Sequence, residues 1–352
     1  MILTLTVNPS LDRTVSLDSA LVRGGVQRAH HTTTQPGGKG VNVSRALAAS
    51  QAETTAVLPG TPTDPVVRAL TDLGIPTTVL DTGEPIRSNV TVTEPDGTTT
   101  KINEPGAVLD ADRLRRLRDL VVAEVRRTAA HTVVLAGSLP PGAPEDLYGL
   151  LTTDLRDLPA PPTVVVDTSG PPLAAALAAS PDLVKPNEDE LAELLGLDGL
   201  PPDPLTVARA AARLVDPADT SVGRVGAVLA TLGGAGAVYV DAPAGTPRAF
   251  HAVHAPVAVR STVGAGDSSL AGLLLARLDA AEAFSQVARA VAHGTAAAAL
   301  PGTGVPALAD TTPELVTVTE LHLGDTSTPD TSGPGSAATT GTVSQTPAPK
   351  EM

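Results

Sequence analysis

The chain has 352 residues and a formal net charge of −14, from 24 basic side chains against 38 acidic ones. It contains no cysteine and no tryptophan, which excludes a disulfide-stapled module, a Cys-type zinc site and a thiolate nucleophile. The acidic balance and the scarcity of aromatic side chains argue against nucleic-acid binding, and no apolar run approaches the ~18 residues of a membrane helix.

Residues 2–7 read as a first β-strand; they lack the basic region and long apolar stretch of a signal peptide, so a cytoplasmic protein is expected. Further strand-like runs fall at 132–136, 163–166, 183–184, 227–231 and 237–240. Helical patterns fall between them, at 40–49, 112–127, 205–215, 266–278 and 282–300. Strands alternating with helices of this length imply βαβ units and a mostly parallel sheet. The central strands are near-continuous Val and Leu, as expected where both faces are covered. Residues 13–19 with 26–34, and 86–94 with 98–102, alternate polar and apolar instead. They read as hairpins forming a small β lid, the second turning at Pro95-Asp96-Gly97. In residues 324–352, 22 of 29 are Gly, Ser, Thr, Pro or Ala, a composition that cannot bury enough apolar surface to order itself. The expected organisation is one globular unit over 1–323, with lid strands at about 13–34 and 86–104, and a disordered tail over 324–352.

Four clusters follow strand ends, where ligands bind in open α/β sheets. In Gly37-Gly38-Lys39-Gly40-Val41-Asn42, glycines allow close backbone approach to an anion at a helix start. Thr33 and Gly40 stand where a Walker A loop needs glycine and Ser or Thr, so it is not a P-loop. Lys185-Pro186-Asn187-Glu188-Asp189-Glu190 is readable as a capping box, or as Asn187 and Glu190 orienting waters on magnesium. Thr231-Leu232-Gly233-Gly234-Ala235-Gly236 fits a nucleotide loop or a tight turn. Thr262-Val263-Gly264-Ala265-Gly266-Asp267-Ser268 opens a helix; Ser269 stands where a dinucleotide fingerprint needs its third glycine. An aspartate in the first turn stabilises a helix by dipole and capping alone. Beside an anion cradle, however, Asp267 would repel phosphate, and it is better explained as a general base. On the lid, Arg87, Asn89, Lys101, Asn103 and Glu104 are polar candidates; Asp12 and Ser138 lie just after strands.

Together, the glycine cluster at 37–42, the Lys185-Pro186-Asn187-x-x-Glu190 segment and Thr262–Ser268 resemble the ribokinase-like (PfkB) sugar kinases. The segments at 6–12, 100–106 and 136–142 look like the 1-phosphofructokinase branch, close to tagatose-6-phosphate kinase. The resemblance covers about residues 1–310 and implies a three-layer α/β/α fold with a mostly parallel central sheet and a β lid. It implies ATP and Mg²⁺ as co-substrates and a homodimer made through the lids. It implies Asp267 as the base, with Gly264, Ala265 and Gly266 as its backbone anion hole. Asp12, Gly38, Lys39, Asn42, Arg87, Lys101, Asn103 and Ser138 would contact the sugar phosphate. Lys185, Asn187, Glu190, Thr231, Gly233, Gly236 and Thr262 would serve the nucleotide, with Asn187 and Glu190 reaching the metal through water. Residues 293–304 would contribute to the adenine pocket. The reaction so implied is phosphorylation of fructose 1-phosphate at its C6 hydroxyl. The rivals are a tagatose-6-phosphate or fructose-6-phosphate kinase, and a non-catalytic sensor on the same fold.

Overall fold

A computed structural model describes residues 1–219 and 223–324. The tail expected at 324–352 lies outside the described residues apart from Gly324.

From the N-terminus, β1 (Ile2–Thr6) leads directly into β2 (Ser10–Leu17) and β3 (Ala29–Gly37), followed by α1 (Lys39–Ala49). Next come β4 (Thr54–Gly60), α2 (Pro65–Asp72), β5 (Thr77–Asp81), β6 (Arg87–Thr93) and β7 (Thr99–Asn103). The middle of the chain gives α3 (Ala111–Thr128), β8 (Thr132–Ala136), α4 (Leu147–Arg156), β9 (Thr163–Asp167), α5 (Pro171–Leu177) and β10 (Leu183–Val184). Then follow α6 (Glu188–Leu194), α7 (Pro204–Val215), β11 (Ala227–Thr231), β12 (Ala237–Asp241) and β13 (Arg248–His254). Last come α8 (Ala265–Leu278), α9 (Ala283–Ala298) and β14 (Val316–Leu321).

Ten strands form the main sheet in the order β14-β13-β12-β11-β10-β9-β8-β1-β4-β5. Pairing is parallel from β5 through β11 and antiparallel through β12, β13 and β14. Side chains alternate across a strand, and here the alternation builds both outer layers. Val133 and Leu135 of β8 pack with α3 and α4, whereas Val134 and Ala136 pack with α1 and α8. Val164 and Val166 of β9 likewise face the first layer and Val165 the second. One layer is therefore α3 to α7, the other α1, α2, α8 and α9, and the strands between them must be apolar on both sides. This is the expected α/β architecture. No described helix is long and apolar enough to cross a membrane.

The second sheet has the order β3-β2-β6-β7. Both expected hairpins form, and β2 and β6 join them by parallel pairing. The first hairpin is shifted toward the site: β2 begins at Ser10 and β3 runs on to Gly37. The lid thus delivers Asp12 and Gly37 directly to the edge of the main sheet.

Candidate active site

Parallel strands end on one edge of a sheet, so the residues at or just after the ends of β1, β8, β9, β10 and β11 converge. Those residues are Asn8, Ser138, Asp167, Lys185 and Thr231. The backbone bridge between Asn187 and Thr231 ties two of these ends together. Gly137 holds the turn after β8 at φ +98°, and its carbonyl accepts hydrogen bonds from Tyr148 Oη (2.8 Å) and Thr168 Oγ1 (2.9 Å).

Two helices start here. Gly38 precedes α1 at φ +108°, where an added Cβ would press on Thr6 Cγ2 at 2.7 Å. Gly264 precedes α8 in the left-handed region, which turns the chain sharply into the helix. Asp267 therefore falls in the first turn, 8% exposed. Its Oδ2 accepts a hydrogen bond from Asn42 Nδ2 on α1 at 2.9 Å. Asn42, expected at the sugar phosphate, thus has its amide on the aspartate.

At the centre of the charge cluster is Asp167, the last residue of β9 and fully buried. Its Oδ1 accepts from Lys39 Nζ at 2.8 Å and is 3.3 Å from Lys185 Nζ. The ammonium of Lys185 also lies over the opening turn of α8, 3.2 Å from where a Cβ on Gly266 would sit. Burial pushes the Asp167 carboxyl up, but Lys185 and Lys39 together outweigh burial and hold it below its ordinary 3.8. Burial likewise opposes the charge on Lys39, and Asp167, Glu190 and Asp267 reverse this and raise it. Asp267 moves the other way: burial and the Asp167 charge raise it above 3.8, against Lys185, Lys39 and the Asn42 hydrogen bond. The first turn of α8 thus carries a carboxylate with raised proton affinity, flanked by two ammonium groups.

Beside it opens a cavity of about 740 Å³. Asn187, Thr231, Gly233, Gly236, Thr262, Ala265 and Gly266, all expected at the nucleotide or the base, line it. Lys185 and Glu190 do not line it; Lys185 pairs with Asp167, and the Glu190 charge acts on Lys39. From the stretch 293–304, Gly294, Thr295 and Ala298 line the cavity, whereas His293 is fully buried against Gly272 of α8. The wall formed by Val253, His254, Pro256, Val257 and Val259 was not anticipated, since nothing local distinguishes those residues from an edge strand and its loop.

The lid contributes a polar row. Strand register sets Gln35, Asp12, Asn89 and Asn103 side by side across four strands, with Lys101 two residues from Asn103 on the same face. Asp12 Oδ1 accepts from Ser10 Oγ (2.7 Å) and Asn89 Nδ2 (3.1 Å). Gly37 stands so close to Asp12 that a Cβ there would lie 2.1 Å from Oδ2. Arg87 donates to the carbonyls of Glu104 (2.7 Å) and Asn8 (3.4 Å), and Ser138 Oγ accepts from Asn8 Nδ2 at 3.5 Å. Lys101 and Asn103 are exposed on β7.

Asn187 and Glu190 form a reciprocal cap on α6: Asn187 Oδ1 accepts from Glu190 N (2.7 Å), and Glu190 Oε2 accepts from Asn187 N (3.0 Å). Among the described residues no group of three or more His, Cys, Asp or Glu converges as a metal cage. The donors that remain suit a hydrated, phosphate-borne divalent ion, which keeps most of its waters. They are the second oxygen of Glu190 and Asp167 Oδ2, the latter buried without a hydrogen-bond partner.

Sequence reading missed Asp167, although a lone carboxylate closing Val164-Val165-Val166 was a usable signal. It also passed over Arg45, a buried side chain in α1.

A family model described as pfkB family carbohydrate kinase matches residues 6–309. The ATP-dependent 6-phosphofructokinase isozyme 2 of Escherichia coli is 34% identical over 86% of this chain and 94% of its own. The 1-phosphofructokinase of Xanthomonas campestris is 36% identical over 82% and 87%. The crystal structure of phosphofructokinase-2 from Escherichia coli in complex with substrates and products superposes with a TM-score of 0.76 at 32% identity, covering 88% of this chain and 96% of that one.

Proposed function

Because this chain belongs to the pfkB carbohydrate kinase family, phosphotransferases with an alcohol acceptor, we propose that it phosphorylates the C6 hydroxyl of fructose 1-phosphate with ATP, giving fructose 1,6-bisphosphate and ADP. The observation that carries the reading is Asp267: buried in the first turn of a helix whose Ala265, Gly266 and Ser269 line the cavity, and with a raised proton affinity.

Phosphoryl transfer is mostly positioning and charge neutralisation. Asn42 occupies Asp267 Oδ2, which leaves Oδ1 to accept the proton of the attacking hydroxyl. Backbone N–H groups at the start of α8, from Gly264, Ala265 and Gly266, stabilise charge on the transferring group. Lys185 and Lys39, held by Asp167, add positive charge on two sides. Asp12 and Asn89 offer the lid's polar face to sugar hydroxyls, and Gly38, Arg87, Ser138, Lys101 and Asn103 surround the same space. Thr231, Gly233, Gly236 and Thr262 shape the nucleotide side. Mg²⁺ would neutralise the phosphates of ATP from waters ordered by Asn187 and Glu190. In this reading residues 1–323 are one cytoplasmic kinase unit that acts as a homodimer through its lid.

The choice of acceptor is supported by the segments at 100–106 and 136–142 and by several relatives named 1-phosphofructokinase. Fructose 6-phosphate is the competing acceptor, because the isozyme 2 enzyme is just as similar. Coupled ADP release with fructose 1-phosphate, fructose 6-phosphate and tagatose 6-phosphate decides between them. The highest kcat/KM is expected for fructose 1-phosphate; a higher value for either rival overturns the assignment.

A further inference from the structure

Arg45 lies in α1, one turn beyond Asn42, with 7% of its surface exposed. Its Nη1 donates to three oxygens: Asn42 Oδ1 (3.1 Å), the Pro36 carbonyl (3.2 Å) and the Thr303 carbonyl (3.1 Å). No carboxylate among the described residues lies within ion-pair distance of it. The charge that acts on it is that of Asp12, on the strand beside the Gln35–Pro36 segment. A buried guanidinium held only by neutral oxygens is an expensive way to fill space, and a side chain such as Met would do so at lower cost.

The geometry gives the guanidinium another task. The amide of Asn42 has an oxygen end and a nitrogen end. Exchanging them would leave the shape unchanged and reverse the hydrogen bonds. Arg45 can only donate, so it holds the oxygen end. The nitrogen end is thereby committed to Asp267 Oδ2, an acceptor. Arg45 also bonds the end of the third strand and the 301–304 loop. Those two segments are joined again where Thr303 N and Oγ1 donate to Gln35 Oε1 at 3.1 and 2.5 Å. Gln35 belongs to the lid's polar row.

We propose that Arg45 is a positioning residue for the phosphoryl-transfer step: it locks Asn42 in the one orientation that orients Asp267, and fastens that pair to the lid strand and the 301–304 loop. The inference rests on the kinase reading above. It adds a relay from Arg45 through Asn42 to Asp267, in which Arg45 touches no substrate. Without Arg45 the Asn42 amide is free to turn its oxygen toward the carboxylate, which misorients the base and raises its proton affinity. The other charged groups facing Asp267 are Asp167, Lys185 and Lys39, and none of them is changed by the substitution.

The test is a kinetic double-mutant cycle on the full chain, with Arg45→Met, Asn42→Ala and the double variant, using the best sugar phosphate of the panel. Arg45→Met is expected to lower kcat roughly 10- to 100-fold, as a misplaced group does, with KM for the sugar phosphate within about threefold. The acidic limb of kcat/KM should move up by about one pH unit, as for a lost hydrogen bond to a charged group. The double variant should be no slower than Asn42→Ala alone. Arg45→Lys, which retains a donor for Asn42, should recover part of the loss. If Arg45→Met does not fold, Arg45→Leu, which also lacks a donor, carries the same expectations. A folded variant with an unmoved acidic limb, or with losses that multiply with those of Asn42→Ala, overturns the relay and leaves Arg45 a structural staple. A wild type inactive on every sugar phosphate overturns both this inference and the reading beneath it.

Discussion

Asp167 and Asp267 are both buried, yet their proton affinities move in opposite directions, and the difference separates their tasks. Asp167 is held by two ammonium groups, whereas among the described residues the side chain of Asp267 has only the Asn42 amide in hydrogen-bond contact. The lowered value at Asp167 contributes stability that is present above 3.8 and is lost as pH falls through the lowered value. The raised value at Asp267 has the reverse sign: its contribution is present below 3.8 and is lost as pH rises through the raised value. In its ionised form the base is therefore a liability to the fold. Asp267→Asn should lower kcat by ~10²-fold or more while leaving Tm at pH 7 equal to or above wild type, as calorimetry would show; a clear fall in Tm would place Asp267 in a structural role. Asp167→Asn removes a charge that raises Asp267 and frees two that lower it. The acidic limb of kcat/KM should then move to lower pH, and stability should drop by about 3 kcal/mol, as for a broken buried pair. A limb that moves upward would show that the Asp167 charge does not reach the base.

At the scale of elements, α6 carries two readings that substitutions can separate. Its capping box satisfies two backbone N–H groups, which alone explains Asn187 and Glu190. The proposed metal role uses the same side chains. Asn187→Asp keeps an N-cap of equal quality, so Tm should be unchanged, whereas the added charge should alter the Mg²⁺ concentration giving half-maximal rate. Asn187→Ala should lose about 1 kcal/mol of stability by loss of the cap. An Asn187→Asp enzyme with an unchanged magnesium profile would leave only the cap. Helices with a clear apolar period, such as α3 and α7, were legible in the sequence to within a residue or two, because their own side chains determine which face is buried; α8, buried almost all round, was legible from its opening glycines and the apolar run behind them. The strands β4, β5, β13 and β14 were not. β4 contains Pro59, and β13 and β14 alternate in polarity at the antiparallel end of the sheet. The glycine clusters were found because they are local. Asp167 with Lys39 is a contact across 128 positions, and the burial of Arg45 depends on a carbonyl 258 positions away. No local pattern encodes either.

For the whole molecule, only four of the 24 basic side chains are lysine, and two of the four acquire a special place. Lys39 and Lys185 do stand at the site, but Asp167 already neutralises part of their charge, so anionic substrates meet a preorganised cluster and not a bare cationic patch. The lid shows a second large-scale asymmetry. Its Asp12 face is polar throughout, carrying Ser10, Asp12, Thr14, Arg87, Asn89, Thr91, Lys101 and Asn103. Its other face is mixed: Leu11, Val15, Val90, Val92 and Ile102 stand among Arg13, Thr32, Thr34, Ser88 and Thr100, with Val15 beside Val92 and Val90 beside Ile102. Leu11 packs on the α2 cluster, but Ile102 is 61% exposed. The apolar side chains gathered on this face, with Ile102 open to water, are poorly satisfied alone, and a second lid would cover them. That supports the proposed dimer, whose mass by light scattering should be twice the 35.3 kDa of one chain. Val15→Asp places a charge on this face without touching Asp12. It should return the mass to that of one chain and reduce activity through a loosened lid. A wild-type mass of 35.3 kDa, or a Val15→Asp variant that stays at twice that value, would remove the lid as the dimer interface.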